Sequence, residues 1–235
     1  EGAKVCCIDR NLESVWETVD LARKEGGEAT ALAADVTDEE AISAAIQTCA
    51  ARWQRIDILH NNVGISVEGG DAPITDITTD AFQRIMNVNL LGTILACKHI
   101  LPVMRDQRGG AIVNISSASA YWTGHPTVLY PASKMAMVSF TRQTAIQNVA
   151  HGIRANVILP GLMDTPMAVD TRVKVLGKSR AEIVAARDAK VPLGGKMGTG
   201  WDVANAALFL CSDEASFITG VALPVDGGSS VALGV

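Results

Sequence analysis

The sequence predicts an α/β protein of three layers (α/β/α), in which a doubly wound parallel sheet carries helices on both faces of a single domain. Apolar runs of strand length alternate with longer segments of helical period, which is typical of parallel βαβ units. Several of these runs end in polar residues or glycines, as strands do where such a sheet binds a ligand. A chain of 235 residues with 48% hydrophobic content can form one sizeable core, and no linker-like segment divides it.

The elements of the first half are bounded by capping residues and glycines. The first helix is predicted to stop at Gly26, and the second to begin at Thr37 or Asp38, residue types that cap helix N-termini. Pro102 is expected to break the third helix only near its end. The predicted elements are strands 4–8, 29–34 and 56–61, helices 11–25, 38–53 and 79–105, and a glycine-containing loop over 64–77.

The second half continues the alternation after a polar interruption. Residues 162–193 are polar, contain methionines and are punctuated by Pro166 and Pro192, which predicts a mobile substrate flap. The remaining predicted elements are strands 111–115, 154–159 and 221–225 and helices 130–151 and 202–211.

Composition restricts the classes of partner. The net charge is −5 and the basic residues are scattered, so no electrostatic footprint for nucleic acid or an anionic membrane is present. The apolar runs are short and broken by polar residues, which argues against a spanning helix, and no basic stretch leads into an apolar one. Five cysteines and four histidines show no paired metal-ligand spacing. We therefore expect a small-molecule partner, a cytoplasmic protein and no metal site.

Ser117, Tyr130 and Lys134 form the strongest catalytic candidate. Tyr130 and Lys134 are four residues apart in a predicted helix and share a face, so the ammonium can favour the phenolate and lower the phenol pKa. Ser117, at the end of the preceding strand, is placed to hold a substrate oxygen. Taken alone, a Tyr-x-x-x-Lys pair is usually a pair on a helix surface, and two serines after a strand are ordinary turn chemistry.

Carboxylates at the ends of the first two predicted strands suggest a dinucleotide. Asp9 is placed to accept hydrogen bonds from adenosine ribose hydroxyls and to repel a 2′-phosphate, which favours NAD over NADP. Arg10 argues the other way, because an arginine there can accommodate that phosphate. Asp35 and Val36 would offer a carboxylate and an apolar wall to the adenine. Both aspartates can also be interpreted as local helix caps.

Beyond these residues, the chain resembles the classical short-chain dehydrogenase/reductases over residues 1–228, with their motifs in order. Asn61-Asn62-Val63-Gly64 is similar to Asn-Asn-Ala-Gly, and Met86-Asn87-Val88-Asn89 to the helix motif that contributes the catalytic asparagine. Ser117, Tyr130 and Lys134 match the rest of the tetrad by spacing. The resemblance implies a Rossmann-like fold and cofactor contacts from Asn62, Val63, Gly64, Tyr130, Lys134, Pro160, Gly161, Leu162, Thr165 and Met167.

The resemblance also implies an activity. The expected protein is an NAD(H)-dependent oxidoreductase that interconverts a secondary alcohol and a ketone, with Tyr130 as the acid or base. Lys134 would lower the phenol pKa and bind the nicotinamide ribose, Ser117 would orient the substrate oxygen, and Asn89 would hold a water for proton transfer. Helices 79–105 and 130–151 resemble the pair that forms dimers in this family, which implies a homodimer or homotetramer.

The substrate pocket is predicted on the loop before Tyr130 and on the flap. An apolar, aromatic-lined pocket would suit an uncharged alcohol or ketone. The same side chains could instead pack the flap or a subunit contact, and the loop residue Glu68 is expected to be solvated. The candidate pocket residues are Ser117, Trp122, His125, Leu129 and Met163, with Met167 and Val169 nearby on the flap.

The start of this sequence departs from the family pattern. The first strand and the glycine-rich turn of the family are missing, and residues 1–4 resemble the end of the helix that follows that turn. Because that strand is central, its loss would leave unpaired strand edges, so about 30 residues, one βα unit, are expected before Glu1. The alternatives are a catalytically silent dinucleotide-binding protein, a truncated remnant that oligomerises without cofactor, and a Tyr-x-x-x-Lys epimerase or dehydratase.

Overall fold

The computed structural model describes residues 2–232 and consists of parallel strands flanked by helices, which confirms the predicted fold class. Most element boundaries agree with the prediction within two residues. The strands are β1 (Lys4–Asp9), β2 (Glu28–Ala33), β3 (Ile58–Asn61), β4 (Gly110–Ile115), β5 (Ile153–Pro160), β6 (Met163–Asp164), β7 (Gly198–Thr199) and β8 (Ala222–Val225). The helices are α1 (Leu12–Lys24), α2 (Glu39–Trp53), α3 (Thr79–Met86), α4 (Gly92–Gln107), α5 (Leu129–Asn148), α6 (Asp170–Leu176), α7 (Arg180–Asp188) and α8 (Gly200–Cys211).

The main sheet is divided into two parts. One part pairs β1 with β2, the other has the order β3-β4-β5-β8, and all of these ladders are parallel. Within residues 2–232 no ladder joins β1 to β3, which is the position where the sequence analysis expects a strand to be missing. Gly2, with a φ of +84°, and Ala3 precede β1 in irregular backbone. Glu1 lies outside the described residues.

The two faces of the sheet are distinguished by successive residues of β4. Ile112 is fully buried in a cluster with Ile100 and Met104 of α4 and with residues of α2 and α5. Val113, the next residue, is buried in a separate cluster with Leu210 of α8 and Ile158 of β5. Because successive strand residues point to opposite faces, these two clusters are the two halves of an α/β/α core.

A long helix runs from Thr79 to Gln107 through α3, a π-helical turn at Asn87–Leu91, and α4. Pro102 lies inside α4 without ending it, contrary to the prediction. By length and composition this helix could cross a membrane, with a mean hydropathy of 1.2 over an 18-residue window, so the argument from short apolar runs is too strict. The window is 44% buried, and its apolar side chains pack on the sheet as those of a core helix do.

Buried polar side chains attach α5 to the sheet. Asn61 of β3 donates from Nδ2 to Oδ1 of Asn114 in β4 over 2.8 Å. Asn114 in turn donates to the hydroxyl of Thr141 on α5, also over 2.8 Å. Asn114 and Thr141 are fully buried, and hydrogen-bonded groups of this kind permit few alternative packings of the helix. The position of α5 relative to the ends of β3 and β4 is therefore well defined.

The predicted flap contains regular structure. Residues 162–193 form β6, α6 and α7, and Ser179 begins α7 with a capping box that includes Glu182. Val169, Ile183 and Val191 of this segment are buried in a cluster with Met197. The sequence analysis missed both helices because their polar faces and the flanking prolines conceal a small apolar core.

Candidate active site

Lys134 is held at the end of β4 by two hydrogen bonds. Its Nζ donates to the carbonyl oxygen of Ile115 over 2.8 Å, and the hydroxyl of Ser116 donates to the carbonyl oxygen of Lys134 over 2.7 Å. The side chain of Lys134 is 3% exposed. Burial disfavours the ammonium and lowers the pKa of Lys134 to about 8, so this group can exchange protons near neutral pH.

Tyr130 lies one turn before Lys134, with the Lys134 Nζ 5.6 Å from the centroid of its ring. Burial raises the pKa of the Tyr130 phenol above its ordinary value, while a hydrogen bond with Ser117 and the charge of Arg172 act in the opposite direction. The expectation that Lys134 lowers this pKa is therefore not met by the arrangement of these side chains. Desolvation outweighs the neighbouring charges, and the phenol is held in its protonated form.

Asn89 connects the π-helical turn to the loop after β3 and to α5. Its Oδ1 accepts from the backbone N–H of Ile65 over 2.8 Å, and its Nδ2 donates to the Ile65 carbonyl oxygen over 2.9 Å. Nδ2 also donates to the hydroxyl of Ser133 over 3.0 Å, and that hydroxyl donates to the carbonyl oxygen of Tyr130. Asn89 is completely buried. Its side chain therefore holds three segments in register around Tyr130 and Lys134.

A cavity of about 550 Å³ opens beside these residues, between the ends of β1, β2 and β3. Its lining includes seven of the predicted cofactor-binding residues together with His60, whose pKa is lowered by burial. The seven are Asp9, Arg10, Asp35, Val36, Asn62, Val63 and Gly64.

Gly64 joins the cavity to the catalytic candidates. A Cβ atom on Gly64 would lie 3.2 Å from the Lys134 Nζ and 3.5 Å from the Asn89 Oδ1. A larger side chain at this position would therefore crowd both groups, and the glycine lets the backbone pass close to them. The cavity and the pair formed by Tyr130 and Lys134 thus adjoin across the backbone of a single residue.

The carboxylates of the cavity also serve as local caps. Asp9 Oδ1 accepts from the Asn11 N–H over 2.9 Å, and Asp35 Oδ1 accepts from the backbone and the hydroxyl of Thr37. These bonds, led by the Thr37 N–H, hold the pKa of Asp35 below its ordinary value. Within residues 2–232 no hydrogen bond uses Oδ2 of either aspartate. Each carboxylate therefore keeps an oxygen that could accept a hydrogen bond from a ligand hydroxyl, as the ribose of a dinucleotide would require.

The residues after β5 lie outside the lining of this cavity. Gly161 allows close packing, because a Cβ there would come within 2.5 Å of the Asp226 Cβ. Leu162 packs against the core of the flap segment, and Thr165 accepts hydrogen bonds from the turn before α6. Met167 is 38% exposed. The structure thus gives Gly161 and Leu162 packing roles and leaves Met167 accessible, while Pro160 ends β5.

The predicted pocket residues have different surroundings. The ring of His125 stacks on that of Tyr130 with centroids 6.3 Å apart, so His125 borders the phenol. Trp122 buries its Nε1 without a hydrogen-bond partner, the one such side-chain atom among the described residues. Leu129 is buried against Ala81 and Ile85 in the core. The buried Met163 side chain packs on Gly198 of β7.

The sequence analysis did not assign a role to Ser116, Ser133 or Arg172, which contact or influence the proposed catalytic residues. Ser116 and Ser133 directly precede Ser117 and Lys134, so their adjacency to the motif could have indicated them. Arg172 of α6, in the flap segment, affects the Tyr130 pKa. Because α6 was not predicted, the position of Arg172 could not be inferred from the sequence. Ser116 and Ser133 thus attach α5 to the end of β4 and to the π-helical turn.

Comparison with known proteins agrees with this geometry. A family model described as Enoyl-(Acyl carrier protein) reductase matches residues 1–230. An uncharacterized oxidoreductase, YxbG, from Bacillus subtilis is 37% identical over 97% of this chain and 82% of its own. Inactive 2-(S)-hydroxypropyl-CoM dehydrogenase 2 from Xanthobacter autotrophicus is 40% identical over 97% and 95%. (+)-Borneol dehydrogenase 1 from Salvia officinalis is 36% identical over 98% and 85%.

Solved structures have the same fold. A protein from Burkholderia xenovorans described as a short-chain dehydrogenase/reductase superimposes with a TM-score of 0.91 at 41% identity, covering 99% of this chain and 87% of its own. A gluconate 5-dehydrogenase from Burkholderia cenocepacia, in complex with NADP and tartrate, has a TM-score of 0.87 at 30% identity, with 99% and 87% covered.

Proposed function

The chain belongs to the short-chain dehydrogenase/reductase family, and on this premise we propose that it is an NAD(H)-dependent oxidoreductase that interconverts a secondary alcohol and a ketone, with Tyr130 as the acid or base. The family assignment carries the class of reaction, an oxidoreductase with a nicotinamide nucleotide. The identity of the cofactor, the substrate and the role of Tyr130 belong to the proposal.

The observation that carries the proposal is the junction at Gly64. The cavity that fits the adenosine end meets Lys134 and Asn89 there, and Tyr130 lies one turn from Lys134. A ligand that extends from Asp9 past Gly64 would bring its far end to the phenol of Tyr130. This continuity supports a site for a dinucleotide and a substrate together.

The proposed reaction gives each of these residues a separate role. Tyr130, protonated because of burial, donates its proton to the oxygen of a ketone, and in the opposite direction its phenolate accepts the alcohol proton. Ser117, which contacts the phenol, orients the same substrate oxygen. Lys134, with a pKa near 8, relays protons and stabilises the phenolate as it forms. When bound, the nicotinamide cofactor supplies or accepts the hydride.

NAD is the proposed cofactor because Asp9 lies in the cavity with an oxygen available for ribose hydroxyls. A 2′-phosphate would meet this carboxylate at short range, and like charges close together repel strongly. Arg10 lines the same cavity and would favour the phosphate, so the preference depends on the balance between these two residues. The NADP-bound relative makes a direct comparison of the two cofactors necessary.

A secondary alcohol or ketone without a net charge is the proposed substrate class. His125 and the half-buried Trp122 supply aromatic surface on the loop that precedes Tyr130, and such surface binds apolar carbon skeletons. The borneol dehydrogenase among the relatives is consistent with this class.

The test compares the wild type with Tyr130→Phe, using Tyr121→Phe as the matched control, because these two are the only tyrosines and Tyr121 is 45% exposed. Nicotinamide fluorescence measures binding of NADH and NADPH, and absorbance measures turnover of a panel of secondary alcohols and ketones. We expect tighter binding of NADH, and turnover that falls by about 10²–10⁴-fold in Tyr130→Phe while NADH binding persists. Turnover by Tyr130→Phe equal to that of the control would refute the assignment.

A catalytically silent protein that acts only in binding or oligomerisation is the second candidate. One relative that is 40% identical is described as inactive, which favours this candidate. Saturable NADH binding without turnover of any substrate in the panel would support this candidate.

We also propose a homodimer or homotetramer in the cytoplasm. The surfaces of α3, the π-helical turn and α5, with the turn that follows it, expose apolar side chains that a second copy would cover, namely Phe82, Leu91, Met135, Ile146 and Val149. Sedimentation analysis would measure the oligomeric state, and fractionation of cells would test the location.

A further inference from the structure

The first turn of α5 lacks a capping group of its own, although it carries Tyr130. An α-helix leaves its first four backbone N–H groups without partners inside the helix. Val128, at the N-cap position, makes no side-chain cap, and the first turn contains no acidic residue. A helix that has to present a catalytic side chain therefore needs acceptors from elsewhere in the chain.

Asp71 supplies them from the loop after β3. Its Oδ1 accepts from the N–H of Val128 over 3.2 Å and of Leu129 over 2.9 Å, and its Oδ2 accepts from the N–H of Tyr130 over 2.8 Å. We infer that Asp71 is a positioning residue that holds Tyr130 in its reactive place through the backbone of α5. This inference rests on the proposed function of Tyr130.

The environment of Asp71 makes these bonds strong. Asp71 is 5% exposed, and no salt bridge of the described residues includes it. A buried carboxylate is unfavourable unless donors surround it, and hydrogen bonds to a charged acceptor are about twice as strong as neutral ones. The positive end of the α5 dipole adds to the attraction. The carboxylate and the first turn of α5 therefore depend on each other.

The loop that carries Asp71 is itself closely packed. Gly70 adopts a φ of +91°, and a Cβ on Gly69 would come within 2.9 Å of side-chain atoms of both Ile65 and Ile85. Ile65 is the residue whose N–H and carbonyl oxygen both bind Asn89. The loop is thus held by Asn89 near its start, and it binds the first turn of α5 through Asp71 near its end. This path joins the tetrad asparagine to the backbone of Tyr130.

The decisive experiment observes Tyr130 without requiring turnover. In a Tyr121→Phe background Tyr130 is the single tyrosine, so ultraviolet absorbance against pH follows its ionisation alone. We compare that background with Asp71→Ala and with Asp71→Asn, which has the same shape but retains one oxygen. The matched control is Asp202→Ala, which removes an acceptor from Thr199 at the start of α8, away from Tyr130.

The expected result follows from solvent access. Burial is the largest cause that raises the Tyr130 pKa, so a loosened first turn that admits water should move this pKa down towards its ordinary value. Glu68 and Arg172, whose charges act on Tyr130, are the same in every variant. We further expect kcat to fall by about 10²-fold in Asp71→Ala, as a small misplacement of a catalytic group does, while the NADH dissociation constant stays unchanged.

A merely structural role would give a different pattern. If the folded Asp71→Ala and Asp71→Asn proteins titrate like the Asp202→Ala control and keep its kcat, the inference is wrong. Should Asp71→Ala not fold, the Asn variant gives the same comparison. A wild-type protein that binds NADH but turns over no alcohol or ketone would contradict the proposed function, and the Tyr130 titration would still decide the role of Asp71.

Discussion

Asn89 donates a hydrogen bond to the hydroxyl of Ser133 over 3.0 Å, and so connects the π-helical turn to the residue that lies directly before Lys134. The two positions are 44 residues apart in the chain, and both are completely buried. A π-helical turn displaces side chains from the regular α-helical positions, which lets Asn89 reach both α5 and the loop after β3. The geometry of the candidate site depends on this irregularity in an otherwise long helix.

Replacing Asn89 by Ala should destabilise the protein more than replacing Ser133 by Ala. Asn89 makes three hydrogen bonds through its side chain, and its removal leaves the Ile65 N–H and carbonyl groups without their partner. We expect a loss of about 2–4 kcal/mol for Asn89→Ala and about 1 kcal/mol for Ser133→Ala in denaturant unfolding. Equal losses would show that the bonds to Ile65 contribute little.

The stability contributed by Lys134 should depend on pH. Its folded-state pKa of about 8 lies below the ordinary value of 10.5, so the folded protein releases a proton before the unfolded chain does. Stability relative to Lys134→Met should therefore rise as the pH increases from about 8 to about 10.5, by at most about 3 kcal/mol. Denaturant unfolding of both proteins across this interval measures the difference, and a difference independent of pH would contradict the lowered pKa.

Replacing Asp9 by Ser should change the preference between the cofactors. The serine keeps a hydroxyl for the ribose but removes the charge that opposes a 2′-phosphate, and Arg10 remains to bind that phosphate. We expect NADPH binding to tighten by at least about tenfold, which corresponds to 1.4 kcal/mol, while NADH binding weakens. An Arg10→Ala variant is the opposite control and should not gain NADPH affinity.

Trp122→Phe should have opposite effects on the stability of the protein and on its affinity for substrate. The buried indole N–H has no partner within the described residues, and a buried unpaired donor is unfavourable by about 1–3 kcal/mol. The Phe variant should therefore be as stable as the wild type or more stable in thermal unfolding. If the indole donates to a polar group of the substrate, KM should rise by about tenfold or more for substrates that carry that group. Tyr121→Phe, at the exposed neighbouring position, should leave KM unchanged.

The strands and the catalytic spacing could be predicted from sequence because both depend on local patterns. Short apolar runs, caps such as Asp38 and the four-residue interval between Tyr130 and Lys134 are visible without knowledge of the packing. The direction in which the Tyr130 pKa is shifted could not be predicted in this way. It depends on how much protein covers the phenol, and burial proved stronger than the hydrogen bond with Ser117 and the charge of Arg172.

Contacts between distant segments were also outside the reach of local patterns. Asp71 is 59 residues from Tyr130 and follows two glycines in a loop, so its sequence context indicates only a turn. The helices of the flap segment were missed for another reason. Their apolar residues pack on one another rather than on the main sheet, and the periodicity of such short helices is weak.

The lining of the cavity has a consequence for local opening of the protein. Asp9 ends β1, Asp35 follows β2 and Gly64 follows β3, and all three line the same cavity. A ligand that contacts all three strand ends would oppose the local opening of any one of them. Amide hydrogen exchange over Lys4–Ala33 should therefore become slower when NADH is bound.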